Sequence, residues 1–194
     1  MTTPQRLRSA SGQSILEFTI VTPIILLILL GVVEVGYALL DKQVVTRVAR
    51  EGSNLISRDV SIQDATTAMR SMATRPVNFA DGSKMIFSVI KRGATTGTTN
   101  YDKLFLYQRY EYGTLSASSK LQTGGGSFSG APDYEAVNAD TDSRLQVTNV
   151  ASNLVTAKGG MIYVTEIFSR HNLITPFQKF GPLLPETLYS IAYF

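Results

Sequence analysis

Ser11-Gly12-Gln13-Ser14-Ile15-Leu16-Glu17-Phe18 opens an apolar segment in which residues 18–33 carry no charge, and two arginines lie just upstream of it. A secretory signal places its cleavage site after the apolar core, so the core is lost with the peptide. Here the glycine precedes the core, and a cut between Gly12 and Gln13 would leave the apolar helix on the mature chain. We therefore predict that residues 1–12 form a leader that is removed.

The apolar segment is long enough to cross a membrane. Extended to Leu40, it reaches the roughly 20 residues that a bilayer core of about 30 Å requires. We predict a membrane span over about residues 18–40. Arg6 and Arg8 would stay in the cytoplasm under the positive-inside rule, which places everything after Leu40 on the other side of the membrane.

One long helix, residues 13–57, is predicted to contain this span. Apolar residues continue beyond Leu40 at helical spacing, as at Val44, Val45 and Val48. Pro23 should kink the helix or free a backbone carbonyl, which membrane helices tolerate. Three glycines of this helix leave room for another helix to approach closely: Gly31, Gly36 and Gly52.

Glu17 is the residue of this helix that most needs an explanation. A lone carboxylate near the bilayer centre costs about 2.5–3.5 kcal/mol, so it calls for a partner or a shallow position. A cut after Gly12 would create an amino group on Gln13, with which Glu17 of a neighbouring subunit could pair. The alternative is that Glu17 is an interface residue of a simple anchor helix, reaching to water. Glu34, near the far end, can reach the other interface.

The remainder, residues 58–194, is predicted to form one soluble α+β domain. Ser61 begins a short helix that ends before Pro76. Four segments rich in aromatic and β-branched residues predict an antiparallel sheet, and they are residues 84–92, 103–112, 161–170 and 186–194. Residues 142–158 have helical apolar spacing, and residues 113–132 have the composition of a flexible loop.

Composition excludes several classes of protein. The chain of 194 residues has no cysteine, so disulfides and thiolate metal sites are impossible. Removal of the leader's two arginines lowers the formal charge from +3 to +1. Because this charge is too small for a nucleic-acid-binding surface, we do not expect the chain to bind nucleic acid. No cofactor is predicted, and partners must be selected by shape and apolar contact.

No motif for catalysis or metal binding is evident, and we predict that the chain is not an enzyme. The glycines at 124–126 lack the lysine and the strand-to-helix setting of a P-loop. His171 is the only histidine and is predicted to be exposed after a strand. The acidic residues between 133 and 142 do not have EF-hand spacing and are expected to be solvated. The aromatic residues of 101–112 are expected to pack in the sheet rather than stack on bases or sugars.

The N-terminal pattern resembles that of the TadE-like minor pilins of the tight-adherence (Tad/Flp) type IVb pilus system. The residues that carry the resemblance are Gly12 to Glu17, Pro23, Gly31, Glu34-Val35-Gly36 and Val48-Ala49-Arg50-Glu51-Gly52. Phe18 departs from the tyrosine usual in the short major Flp pilins, and the soluble part is far longer than theirs. Both differences favour a minor subunit over the shaft subunit.

The resemblance implies a pilin-like fold, cleavage by a prepilin peptidase, and a structural role in pilus assembly or adhesion. It implies an inner-membrane protein with a cytoplasmic N-terminus and a periplasmic domain, carried to the cell surface in the pilus. Partners would be the peptidase, other pilin subunits through their N-terminal helices, assembly-platform proteins, and lipid before assembly. Two alternatives stay open: a pseudopilin of a type II-like secretion system, and a single-pass anchored binding protein or enzyme.

Overall fold

The computed structural model describes residues 11–58, 60–154, 156–173 and 185–194, and has the predicted α+β, pilin-like fold class. Ten residues of the predicted leader, 1–10, lie outside the described part. The elements, in chain order, are α1 (Ser11–Ile56), α2 (Ile62–Met72), β1 (Ser83–Arg92), β2 (Leu104–Gly113), β3 (Met161–Arg170) and β4 (Thr187–Tyr193).

The four strands form one antiparallel sheet in the order β2-β1-β3-β4. Their side chains alternate between the two faces, as the period of a strand requires. In β1, Met85, Phe87 and Val89 face one core, whereas Ile90 belongs to a second core on the opposite face. A register shift in the β1–β2 pairing follows Val89.

The last part of α1, residues 40–56, covers the first face of the sheet, and we call it the packed segment. Val45 and Ala49 are fully buried and share a core with Phe87 and Ile167. Burying an aliphatic side chain contributes about 1.5–3 kcal/mol, so these contacts fix the packed segment to the sheet.

Gly52 brings the packed segment unusually close to the sheet. A Cβ at this position would lie 2.6 Å from Cγ2 of Thr165 and 3.1 Å from Cε1 of Phe87. No side chain larger than hydrogen fits there unless neighbouring atoms shift. This explains why a glycine lies in the interior of the helix, although it costs about 1 kcal/mol relative to alanine.

The opposite face is covered by irregular chain, where the sequence predicted a helix. Residues 142–158 do not form that helix; the described residues contain only two 3₁₀ turns, Ser143–Leu145 and Ser152–Leu154, and Val155 lies outside the described part. Leu145 and Val147 are buried in the second core instead, and the Val147 amide donates to the Leu104 carbonyl at 2.9 Å. These apolar residues are therefore buried against the sheet and do not form one face of a helix.

The glycine- and serine-rich stretch 113–132 has no helix or strand after Gly113, the last residue of β2, but it is not a detached linker. Leu121 is 4% exposed within the second core. The Lys120 amide donates to the buried carboxylate of Glu166 at 2.8 Å.

Helix α2 begins as the sequence predicted. The Ser61 hydroxyl accepts a hydrogen bond from the Asp64 amide at 3.1 Å, which satisfies one of the free donors of the first turn. Ile62, Ala65 and Met69 then pack into the first core.

Candidate helix-packing site

The first part of α1, residues 11–39, presents an exposed apolar surface, and we call it the apolar segment. Its large side chains range in exposure from 38% for Leu30 to 72% for Phe18. Soluble proteins rarely leave so large an apolar surface to water. By length and composition, α1 could cross a membrane.

The predicted cleavage site lies in the first turn of α1. Gly12 is helical, and no atom of the described chain lies within 4 Å of a Cβ built on it. The Gln13 side-chain amide donates to Glu17 Oε1 at 3.1 Å, one helical turn away. The structure therefore brings Gln13 and Glu17 together on one exposed face of the helix.

Pro23 lies inside α1 without ending it. Proline has no amide hydrogen, so the carbonyl of Thr19 loses its helical donor. Two threonine hydroxyls in the turns before Pro23 bond to carbonyls of the helix: Thr19 donates to the Ile15 carbonyl at 2.8 Å and Thr22 to the Phe18 carbonyl at 2.7 Å. Such bonds satisfy hydroxyl groups internally, as a lipid environment requires.

The glycines predicted to admit a neighbouring helix fall into two groups. Among the described residues, no atom lies within 4 Å of a Cβ position at Gly31 or Gly36, so this part of the chain leaves their surfaces open. Gly52 is different, since the room it leaves is taken by Thr165 of the same chain.

Glu34 is 3% exposed and has a polar or ionic partner.

The prediction that His171 is exposed is wrong. It is 4% exposed, and its Nδ1 lies 2.9 Å from the Asp41 carboxylate in the packed segment. This contact joins residues 130 positions apart, at the start of the packed segment and the end of β3. A short-range motif search cannot find such a pair, which explains the wrong prediction.

Sequence analysis also missed Glu166, a fully buried carboxylate on β3. It accepts hydrogen bonds from the Lys120 amide at 2.8 Å, from the Tyr189 hydroxyl at 2.9 Å, and from the Ser119 hydroxyl. Burial raises the pKa of Tyr189, and the negative charge and hydrogen bond of Glu166 raise it further. A charged residue in the middle of the apolar strand MIYVTEIFSR was the available signal, because a buried charge needs partners.

The described side chains do not assemble a metal site. No group of three or more His, Asp or Glu residues is gathered in that part of the chain. Asp142 is instead held by Arg144, whose hydrogen bonds lower the pKa of that carboxyl group.

A concavity of about 850 Å³ lies between α2 and residues 73–80. It is lined in part by Arg70, Arg75 and Tyr112, with the Arg70 guanidinium 4.9 Å from the centre of the Tyr112 ring. Arginine and tyrosine at this spacing form a cation–π contact.

One comparison with known proteins finds a similarity, and it lies in α1. Residues 12–54 match the family model described as TadE-like protein. Over these residues the chain is similar to TadE-like proteins. The match covers the helical residues from the predicted cleavage site to just before the end of α1, and none of the sheet. No curated protein matches the chain, and no solved structure matches it.

Proposed function

We propose that this chain is a TadE-like minor pilin of the Tad pilus, matured by a prepilin peptidase that cuts between Gly12 and Gln13. One observation carries the proposal: within the residues of the family match, α1 exposes a continuous apolar surface from Ile15 to Leu40. Such a surface can be covered by lipid before assembly and by other subunits' helices afterwards.

Glu17 would set the register of the helix bundle. A cut before Gln13 produces a positive amino group about one helical turn from Glu17, at the edge of the apolar segment. In a bundle, Glu17 of one subunit would pair with the Gln13 amine of a neighbour, and each charge would offset the desolvation of the other.

The proposed role is structural rather than enzymatic. The leader would lie in the cytoplasm and residues 58–194 in the periplasm, in keeping with the basic residues of the leader. The peptidase, other pilin subunits and the assembly platform would be the partners. The soluble domain would carry the contacts made at the pilus surface or within the assembly complex.

Cleavage is tested with Gly12→Ala, expressed beside the matched control Gly36→Ala in cells that make the pilus. Both glycines are helical with open surroundings, so neither change disturbs packing within the described chain. We expect Gly12→Ala to stay unprocessed in the membrane fraction, and Gly36→Ala to be processed as wild type. Normal processing of Gly12→Ala would refute the proposed cleavage.

Charge pairing is tested separately with Glu17→Ala, with Glu51→Ala as an exposed acidic control on the packed segment. Glu17→Ala should mature normally and be absent from sheared fibres, whereas Glu51→Ala should be incorporated. Incorporation of both variants at wild-type levels would rule out the pairing.

A further inference from the structure

The two edges of the sheet differ in how their backbone groups are satisfied. The β2 edge is covered by the chain that follows it. The Arg109 amide donates to the Tyr134 carbonyl at 3.1 Å, and the Ala136 amide donates to the Tyr107 carbonyl at 2.7 Å. Covering an edge in this way prevents it from pairing with another chain.

The β4 edge has no such cover among the described residues. Tyr163 and Phe194 exchange both of their backbone hydrogen bonds, at 3.0 and 2.9 Å. In an antiparallel pair these bonds recur at every second residue, so the backbone groups of Tyr189, Ile191 and Tyr193 point away from β3. In the part of the chain that the structure describes, only one contact reaches these groups, from the Lys42 ammonium to the Tyr189 carbonyl.

Strand β4 also lacks the side chains that protect exposed edges. Its sequence, TLYSIAY, contains no charge and no proline. Native edge strands are commonly blunted by lysine, proline or a bulge, and an unprotected strand is a template for another strand. The Lys42 contact is the one protective device at this edge in the described chain, and it comes from α1 rather than from the strand itself.

We propose that the β4 edge binds an extended segment of a partner protein, which adds antiparallel to β4 as a fifth strand of the sheet. This mode of recognition draws its affinity from backbone hydrogen bonds and its specificity from alternate side chains. The amides of Ile191 and Tyr193 would be the donors, and the Tyr189 carbonyl would become available when Lys42 turns to an acidic side chain of the partner.

The surroundings of the edge define the chemistry of the partner segment. On the α1 side lie Lys42 and Thr46, whose hydroxyl is 3.3 Å from that of Ser190, and the exposed Arg50 is one further turn along the same helical ridge. On the opposite side lie the half-buried side chains of Tyr189 and Ile191. The segment that fits alternates acidic residues, facing α1, with apolar residues.

A second copy of the chain fits this edge poorly. The packed segment and β4 run in the same direction, because Lys42 lies beside Tyr189 and Ser53 donates to the Ala192 carbonyl. Antiparallel pairing of two β4 strands would therefore point two packed segments in opposite directions. Two chains anchored in one membrane cannot adopt that arrangement, and this step rests on the proposed function.

The test uses the full chain in detergent micelles and fluorescently labelled seven-residue peptides. One peptide alternates valine with glutamate and the other alternates valine with lysine. We expect the glutamate peptide to bind at least tenfold more tightly, and the double variant Lys42→Ala, Arg50→Ala to abolish that preference. Amide exchange of Ile191 and Tyr193 should slow when the glutamate peptide binds.

The decisive variant is Ile191→Pro, which removes one outward amide at an edge position where proline is tolerated, with Ile191→Val as the matched control. We expect a tenfold or greater loss of peptide binding for the proline variant only, at unchanged helix and sheet content by circular dichroism. Equal binding by both variants, no binding by the wild type, or β4–β4 crosslinking of two copies would overturn the proposal. None of these outcomes bears on cleavage at Gly12, which is measured independently.

Discussion

Gly52 shows how a single residue positions the helix on the sheet. The nearest atoms to its missing Cβ belong to Thr165 and Phe87, so the helix approaches β1 and β3 only because position 52 has no side chain. The sequence marks Gly52 as a close-approach position but does not say what approaches. A glycine is needed both where a neighbouring helix approaches and where a strand of the same chain approaches, so the sequence does not distinguish the two.

Gly52→Ala tests this contact. Alanine favours the helix by about 1 kcal/mol, while overpacking a core costs about 1–3 kcal/mol. We expect a net loss of about 1 kcal/mol in the free energy of unfolding, measured by urea denaturation in detergent. Thr165→Ala removes both Thr165 atoms within 3 Å of the new methyl group, so the double variant should recover that loss. Strictly additive effects would contradict the contact.

The Tyr189 hydroxyl contributes to the pH dependence of stability under alkaline conditions. Burial and Glu166 raise its pKa in the folded chain, so folding favours the protonated form. Its contribution is complete below the unfolded pKa of about 10 and is lost as the pH rises through the folded pKa.

We therefore expect the wild type to lose stability faster than Tyr189→Phe above pH of about 10, by up to about 1.4 kcal/mol per pH unit. The measurement is the urea midpoint of both proteins between pH of about 8 and 11. Parallel curves over that range would show that the hydroxyl titrates normally.

At the scale of elements, the strands were predicted well, whereas the helix predicted between β2 and β3 was wrong. Each observed strand begins and ends within one residue of its predicted segment. Alternating aromatic and β-branched residues give strands a local signal. Residues 142–158 carry apolar spacing that also suits a helix, but the edge of β2 offers hydrogen bonds that a local pattern does not reveal.

The same limit applies to the candidate site. The apolar segment and Gly12 are visible in the sequence because their signals are consecutive. The Asp41–His171 contact and the Lys120–Glu166 hydrogen bond join residues far apart in the chain, and only the fold brings them together.

Helix α2 depends on its first turn. Ser61→Ala removes the hydroxyl that accepts from the Asp64 amide, and loss of such a cap costs about 1 kcal/mol. Ser71→Ala, at the exposed end of the same helix, should change the free energy of unfolding by less than about 0.5 kcal/mol. Thermal unfolding of the two variants provides the comparison, and equal effects would show that the cap does not stabilise α2.

At the scale of the whole molecule, α1 serves two environments. The packed segment is buried against the sheet, and the apolar segment exposes a surface suited to lipid or to other helices. In the proposed account, assembly exchanges one apolar environment for another, so the soluble domain need not unfold when the subunit leaves the membrane.

The central claim is that the chain enters the pilus by this helix after cleavage at Gly12. The most direct measurement is mass spectrometry of sheared, purified fibres, read for the N-terminal peptide of this chain. The account predicts a peptide that begins at Gln13. Fibres that lack the chain, or that contain it with Met1 and the leader still attached, would contradict the claim.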